Sequence, residues 1–581
     1  MFSMRALAMA ALPLMASVAS CGGQGSNPPR TPRAPSPGRP LITIVVDQMA
    51  AWIAVERWGL LPREGGFARL AREGTWVREL RYAHAATDTA PGHSALYTGA
   101  TPRTSGISIN EVVDAHGKKA SILRDPRTAL LGTGGPVEGA VGSSLAVLEV
   151  ETLADRLRAS HPDALIVSLS LKDRGALFAG GRQPTAALWL DTRTAQMVCS
   201  TAVCQAFPSW ARARGSAEAL PRHRADVWQP LDPSWIAAHA ATPDAQEGEG
   251  DAAGLGTTFP HALRRAEPLA QAFRTTPMAD DLLFELAQAA LEAEYRPGRP
   301  TLLALSLSAN DYIGHTFGPD SWEAWDELAR LDASLGRFLA ALDARFGADG
   351  YDVLLSADHG VTTMPEAAER PRARPWCAEP GPAGSKPADR WGRACGPVVR
   401  ILGDALEREL EDVAIRAIGP GEWVLAVDDP YVFFTAAAHA LPAARAGALT
   451  EAVSTALRAH PEVAQVLDVA RLPAHCPAED DESVTALVCR STAKASGDLY
   501  VVTRPGSFFD PDIVVGKGTG HGTPYLYDRA VPLLVRAPGR ARAHEIIDAP
   551  VGFEAFARTA AALLGIDPPA SAGAGRDLVT R

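Results

Sequence analysis

The chain has 581 residues, 46% of them hydrophobic and 21% charged, with a formal net charge of −11. That length and balance suit a globular protein with one large α/β domain carrying insertions. The acidic surplus argues against a partner such as a nucleic acid polymer, which would be gripped through a basic surface, so an anionic ligand would need positive charge concentrated locally.

The N-terminus reads as a targeting segment. Arg5 supplies a short positive region, Ala6 to Val18 is apolar, and Val18-Ala-Ser-Cys21 resembles a bacterial lipobox. Residues 1–20 are therefore expected to be a lipoprotein signal peptide cleaved before Cys21, whose sulfur would carry a lipid; an ordinary secretory signal is the alternative. Residues 21–40, rich in Gly, Pro and Ser, read as a flexible tether. No second long apolar stretch suggests a membrane-spanning helix. These features predict export to a bacterial periplasm, with membrane contact only through a lipid on Cys21.

From residue 41 onward, short apolar runs alternate with helical patterns. Leu41 to Val46, Ala164 to Leu169, Thr301 to Leu307, Asp352 to Leu355 and Val531 to Val535 are too short for helices and read as buried strands. Leu328, Leu331, Leu335, Phe338, Leu339 and Leu342 fall on one helical face, and Thr276-Pro277 predicts an N-cap followed by a first-turn proline. The alternation predicts a doubly wound, mostly parallel sheet, with ligands beyond the carboxyl ends of its strands. Two stretches, about 183–260 and about 365–505, break the pattern and are expected to be insertions capping the site. Apart from Cys21, six cysteines form three close pairs: Cys199 with Cys204, Cys377 with Cys395, and Cys476 with Cys489. Six cysteines allow 15 connectivities, and short loops in an oxidising compartment favour nearest neighbours.

Residues with metal-binding and phosphate-binding chemistry sit at the ends of those runs. Asp47 closes the first; Thr89-Ala-Pro-Gly-His93 opens a segment running through Tyr97-Thr-Gly99 to Asn110; Asn310-Asp-Tyr-Ile-Gly-His315 and Ala357-Asp-His-Gly360 follow two others; Gly518-Thr-Gly-His-Gly522 lies near the end. Three aspartates and three histidines (Asp47, Asp311, His315, Asp358, His359 and His521) can form two adjacent sites, and mixed carboxylate and imidazole ligation suits zinc, whereas all-oxygen ligation would suit magnesium or calcium. A hydroxyl beside Pro91 and a helical pattern stands near a helix N-terminus, where the dipole favours negative charge. Thr87 and Ser94 are local rivals of Thr89 for that role, and His84, His93 and His116 read as structural. Lys172 and Arg174, in Ser170-Leu-Lys-Asp-Arg-Gly175, would point the same way from an extended segment and could together hold the oxygens of a dianion.

In order and spacing these motifs resemble the alkaline phosphatase superfamily, in the branch holding type I phosphodiesterases/nucleotide pyrophosphatases and the threonine-dependent, phosphate-irrepressible alkaline phosphatases. The resemblance implies zinc-dependent hydrolysis of small phosphate monoesters through a phosphothreonine. One zinc would be held by Asp311, His315 and His521 and would stabilise the leaving oxygen; the other would be held by Asp47, Asp358 and His359, with the Thr89 oxygen completing it. The twenty-one-residue spacing from Thr89 to Asn110 matches the family's nucleophile and phosphate-binding asparagine. The pair Lys172 and Arg174 resembles the monoesterase arm of the branch. A phosphodiesterase or nucleotide pyrophosphatase is the runner-up. A sulfatase would need Cys or Ser in a Cys/Ser-x-Pro-x-Arg signature where Thr-Ala-Pro-Gly-His stands. A noncatalytic envelope binding protein would be expected to lack a ligand or the nucleophile, and none is missing.

Overall fold

The computed structural model describes residues 38–378 and 388–580. The expected signal peptide, most of the tether and Cys21 lie outside the described residues. Four parallel strands form the centre: β1 (Leu41–Val46), β3 (Leu165–Ser170), β6 (Thr301–Leu307) and β7 (Asp352–Ser356), every residue of which is buried. Leu and Val rich runs of this length have no polar face to give to water, which is why they sit in the interior with helices on both sides. The other main strands are β2 (Thr75–Arg81), β4 (Ala186–Asp191), β5 (Gln196–Ser200) and β8 (Ala530–Arg536), and the order across the sheet is β2-β8-β7-β1-β6-β3-β4-β5, extended by shorter strands at both edges.

The sheet is mixed. β4 continues the parallel set beside β3, but β8 runs antiparallel to both β7 and β2, and β5 is antiparallel to β4. The first expected insertion therefore begins later than residue 183, because β4 and β5 belong to the main sheet. From Val424 to Thr503 the second stretch builds its own four-stranded sheet, backed by helices at Gly403–Ile418 and Ala443–Ala459. That unit packs around a separate apolar cluster including Leu410, Val432, Leu449, Val453 and Leu499.

The helices used below are α1 (Thr89–Thr98), α2 (Asp173–Gly180), α3 (Leu269–Arg274), α4 (Met278–Glu294), α5 (Ala309–Phe317) and α6 (Trp322–Phe346). All six apolar residues expected on one face of α6 are buried, and Ser321 caps the helix by accepting from Ala324 N at 3.1 Å. The expected cap on α4 does not form. Thr276 turns its hydroxyl back to donate to the Phe273 carbonyl at 2.7 Å, and Pro277 precedes the first helical residue.

The three disulfides join Cys199 to Cys204, Cys377 to Cys395 and Cys476 to Cys489, the nearest-neighbour pairing, and suggest an exported protein. Among the described residues no helix is long and apolar enough to cross a membrane.

Leu335 is buried against α6's partners and would meet a side chain at Gly66. Leu335→Ala should lower unfolding free energy by about 2–5 kcal/mol, as expected for a large-to-small core change, measured as a shift of the denaturant midpoint at unchanged slope.

Candidate active site

Register brings the site together. Val46 of β1 pairs with Leu307 of β6, Val45 with Ser356 of β7, and Ser306 with Ser170 of β3, so four neighbouring strands end at nearly one level. The residues that follow them, Asp47, Asp311, Asp358 with His359, and Lys172, converge there, joined by His521 from a distant loop.

Two separate clusters result, Asp47 with Asp358 and His359, and Asp311 with His315 and His521, while a third grouping, Asp88 with His359 and His521, overlaps both; in each, one ligand-type atom per residue lies within 4.8 Å of the others. All six residues are buried. Each histidine has its Nδ1 against a backbone carbonyl: His315 to Thr519 at 2.8 Å, His521 to Thr87 at 2.8 Å, and His359 to Gly360 at 3.0 Å. A carbonyl only accepts, so Nδ1 is the donor and the neutral ring turns the lone pair of Nε2 into the cluster. The Nε2 atoms of His315 and His521 then face each other at 3.1 Å.

Both carboxylate oxygens of Asp47, Asp358 Oδ2 and His359 Nε2 are buried without a hydrogen bond of proper geometry. His359 Nε2 stands 3.4 Å from Asp47 Oδ1 and 3.6 Å from Asp358 Oδ2, too long for good hydrogen bonds. Convergent lone pairs from mixed oxygen and nitrogen donors fit a divalent cation.

The protein's own cations address part of this charge. Lys172 Nζ lies 2.7 Å from Asp47 Oδ2 and 2.6 Å from Asp311 Oδ2, and donates to Thr89 Oγ1 at 3.1 Å. Burial alone would raise the Asp311 carboxyl, but Lys172 and His315 outweigh it and hold it well below the usual carboxylate range. Asp47 goes the other way, raised by burial and by Asp311 and Asp358. Burial would lower the His359 imidazole, yet Asp358 and Asp47 push it up to about 10. His521 is held well below its ordinary value by burial and by the neighbouring His359 and His315.

Thr89 is the first residue of α1 and is buried. Asp88 caps the helix by accepting from Thr89 N at 2.9 Å, and Asn110 accepts from Ala90 N at 2.7 Å while donating to Asp88. Asn110 is thereby fixed against the turn that carries Thr89. Gly92 explains how α1 comes so close, because a Cβ there would lie 2.2 Å from the Asp358 carbonyl oxygen. Gly518 has the same role on the other side: its φ is +67°, and a Cβ would lie 1.6 Å from the His315 carbonyl.

Arg174 is placed differently from the expectation. Lys172 is extended, but Arg174 lies in the first turn of α2, so the two do not project from one extended strand. Both nevertheless line one cavity of about 490 Å³ with Thr89, Asn110, Asp311, His315 and His521.

Several residues at the site carried no recognisable sequence signal. Gln48 adopts φ 68°, unusual for a residue with a side chain, and its Nε2 donates to Asp311 at 2.9 Å while its backbone N–H donates to Asp358 at 3.1 Å. It clamps one carboxylate from each cluster. His93, read as structural, spans α1 and β6: its Nδ1 is 3.0 Å from both the Thr89 carbonyl and Asp358 Oδ2, and its Nε2 is 2.8 Å from Ser306 Oγ. His84 is buried, and burial beside Arg529 and Arg490 pushes it down to about 3. Arg274 and Tyr312 also line the cavity.

A large sheet flanked by helices, with acidic and imidazole clusters beyond its parallel strand ends, defines a class of α/β hydrolytic protein. A model described as type I phosphodiesterase / nucleotide pyrophosphatase matches residues 41–513, and the chain belongs to that family. It is 27% identical over 540 residues to alkaline phosphatase PafA of Elizabethkingia meningoseptica, covering 92% of both chains. It is 34% identical over 332 residues to alkaline phosphatase PhoV of Synechococcus elongatus; this match covers 56% of the chain and spans only 59% of that relative. The crystal structure of wild-type PafA superposes with a TM-score of 0.78 at 25% identity, covering 94% of this chain and 100% of that one. A PafA variant substituted at one Thr, one Asn, one Lys and one Arg superposes with a TM-score of 0.79 at 25% identity, covering 94% and 99%.

Gln48→Ala removes the amide that fixes Asp311 and leaves a Cβ residue in a left-handed conformation. Supporting residues of this kind typically contribute about 10–100-fold to metal affinity, so competition for a divalent metal ion against a chromophoric chelator should show a loss in that range.

Proposed function

We propose that this protein hydrolyses small phosphate monoesters through a phosphothreonine on Thr89, with two zinc ions held by Asp311, His315 and His521 and by Asp47, Asp358 and His359. The observation that carries the reading is the placement of the Thr89 hydroxyl, at a capped helix N-terminus and 3.1 Å from the Lys172 ammonium, which itself touches one carboxylate of each cluster. Two relatives named alkaline phosphatase support it. So does the PafA variant: its four substituted positions have the residue types, order and separations of Thr89, Asn110, Lys172 and Arg174.

Zinc bound at these sites would supply Lewis acidity, lowering the pKa of oxygen nucleophiles and neutralising charge on oxygen. Everything else falls to the chain. Thr89 Oγ attacks phosphorus in line, the ester P–O bond breaks on the side assigned to Asp311, His315 and His521, and the alcohol departs with a proton. Water then hydrolyses the phosphothreonine, releasing phosphate and restoring the hydroxyl. The α1 dipole and Lys172 favour the ionised Thr89 oxygen, while Asn110 and Arg174 hold nonbridging oxygens.

The alternative is a phosphodiesterase or nucleotide pyrophosphatase, as the family's description allows. A second cationic donor suits a dianionic monoester better than a diester, which carries one negative charge fewer. The first stretch beyond β5, to about residue 260, and the second at about 365–505 act as caps; Asp428 and Asp429 of the second line the cavity. Export to the periplasm with a lipid on Cys21 completes the reading, supported by the disulfides and by the sequence pattern of residues 1–20.

Thr89→Ala should lower kcat by several orders of magnitude, while Thr89→Ser should keep appreciable turnover; near-normal rates in the Ala variant would move the nucleophile elsewhere.

Arg174 tests substrate class more cleanly than Lys172, which touches two proposed ligands. Charge-assisted hydrogen bonds are worth roughly 1.5–3 kcal/mol, so Arg174→Ala should reduce kcat/KM for an aryl monoester about tenfold to a hundredfold more than for the matched diester, with zinc content unchanged. Equal losses would favour the diesterase reading.

A further inference from the structure

Four Lys and Arg side chains line the cavity, and three of them have carboxylate neighbours. Lys172 sits between Asp47 and Asp311, Arg174 lies 3.8 Å from Asp173, and Lys119 pairs with Asp428 at 2.6 Å and Asp512 at 3.8 Å. Arg274, the last residue of α3, has no such partner among the described residues. Its guanidinium carbon lies 4.1 Å from the centroid of the Tyr312 ring, Nη1 donates to the Tyr312 hydroxyl at 3.3 Å, and Nε is buried without an acceptor. A guanidinium held by one long hydrogen bond and an aromatic face keeps its charge and most of its donors for a ligand.

Its position says which part of a ligand. Tyr312 follows Asp311 on the first turn of α5, one turn before His315, so Arg274 stands on the Asp311, His315 and His521 side of the cavity. Several of the acidic groups that line the cavity are already engaged, Asp428 and Asp512 by Lys119, Asp88 by Asn110, and Asp510 by the backbone N–H groups of Asp512 at 2.8 Å and Gly516 at 2.6 Å; Glu111 and Asp429 also line it. Arg274 is therefore the one Lys or Arg of the lining without a carboxylate neighbour among the described residues.

We infer that Arg274 is a specificity-determining residue that receives an anionic group, a carboxylate or a second phosphate, carried by the leaving alcohol. Preferred substrates are then phosphate monoesters of acidic alcohols. This rests on the proposed monoesterase reading, which assigns the leaving oxygen to that side.

The test compares phenyl phosphate with 4-carboxyphenyl phosphate, which differ by one remote charge, in the zinc-loaded wild type, Arg274→Ala and Arg274→Lys. In parallel, calorimetry measures binding of the nonhydrolysable phenylphosphonate and 4-phosphonobenzoate. The wild type should favour the carboxylated member of each pair. Arg274→Ala should shrink that preference about tenfold, the loss of one charge-assisted contact, and Arg274→Lys should restore part of it. An unchanged preference in Arg274→Ala, or equal losses on both members of a pair, would overturn the inference. Should the wild type hydrolyse neither ester while the phosphonates still show an Arg274-dependent preference, the failure belongs to the proposed reaction and the binding role stands.

Discussion

Four parallel strands ending at one level create the constraint on which the site depends. Asp47, Asp311 and Asp358 are buried within a few ångströms of one another, and isolated carboxylates so placed would be strongly destabilising. The Lys172 ammonium, in contact with Asp47 and Asp311, offsets part of that cost. The same ammonium reaches the Thr89 hydroxyl, so charge balance and placement of the proposed nucleophile are one interaction. Gly92, Gly518 and the left-handed Gln48 are local answers to the crowding that this convergence imposes.

Much of this was legible in the sequence. Apolar runs at Leu41, Thr301 and Asp352 marked the central strands because fully buried strands need no polar alternation, and the carboxylates and imidazoles stood just beyond them. The helical face of α6 and the neighbouring cysteine pairs were readable for similarly local reasons. What escaped depended on tertiary context. β2, Thr75–Arg81, has a half-buried pattern that a search for uniformly apolar runs passes over, and nothing local announces that β8 is antiparallel. From sequence Arg174 reads as part of an extended segment, because helix onset one residue earlier leaves no strong mark. Gln48 has no composition signal at all; its role exists only because Asp311 and Asp358 arrive beside it from over 260 residues away. Arg274 lay outside every motif and enters the cavity only through its stacking on Tyr312.

The surrounding architecture divides the labour. The parallel core fixes the two clusters and Thr89 rigidly, as proposed chemistry in line with phosphorus requires. The cavity's outer wall comes from loops and from the added four-stranded unit through Val427, Asp428 and Asp429. A strand-end constellation held by register can thus stay fixed while the loops that form the outer wall are free to change.

The central claim is a double displacement at phosphorus through Thr89. Its most direct test is the stereochemical course with a monoester made chiral at phosphorus by oxygen isotopes, transferred to an acceptor alcohol. Two in-line displacements predict net retention of configuration. Net inversion would mean a single direct transfer and would contradict the covalent intermediate.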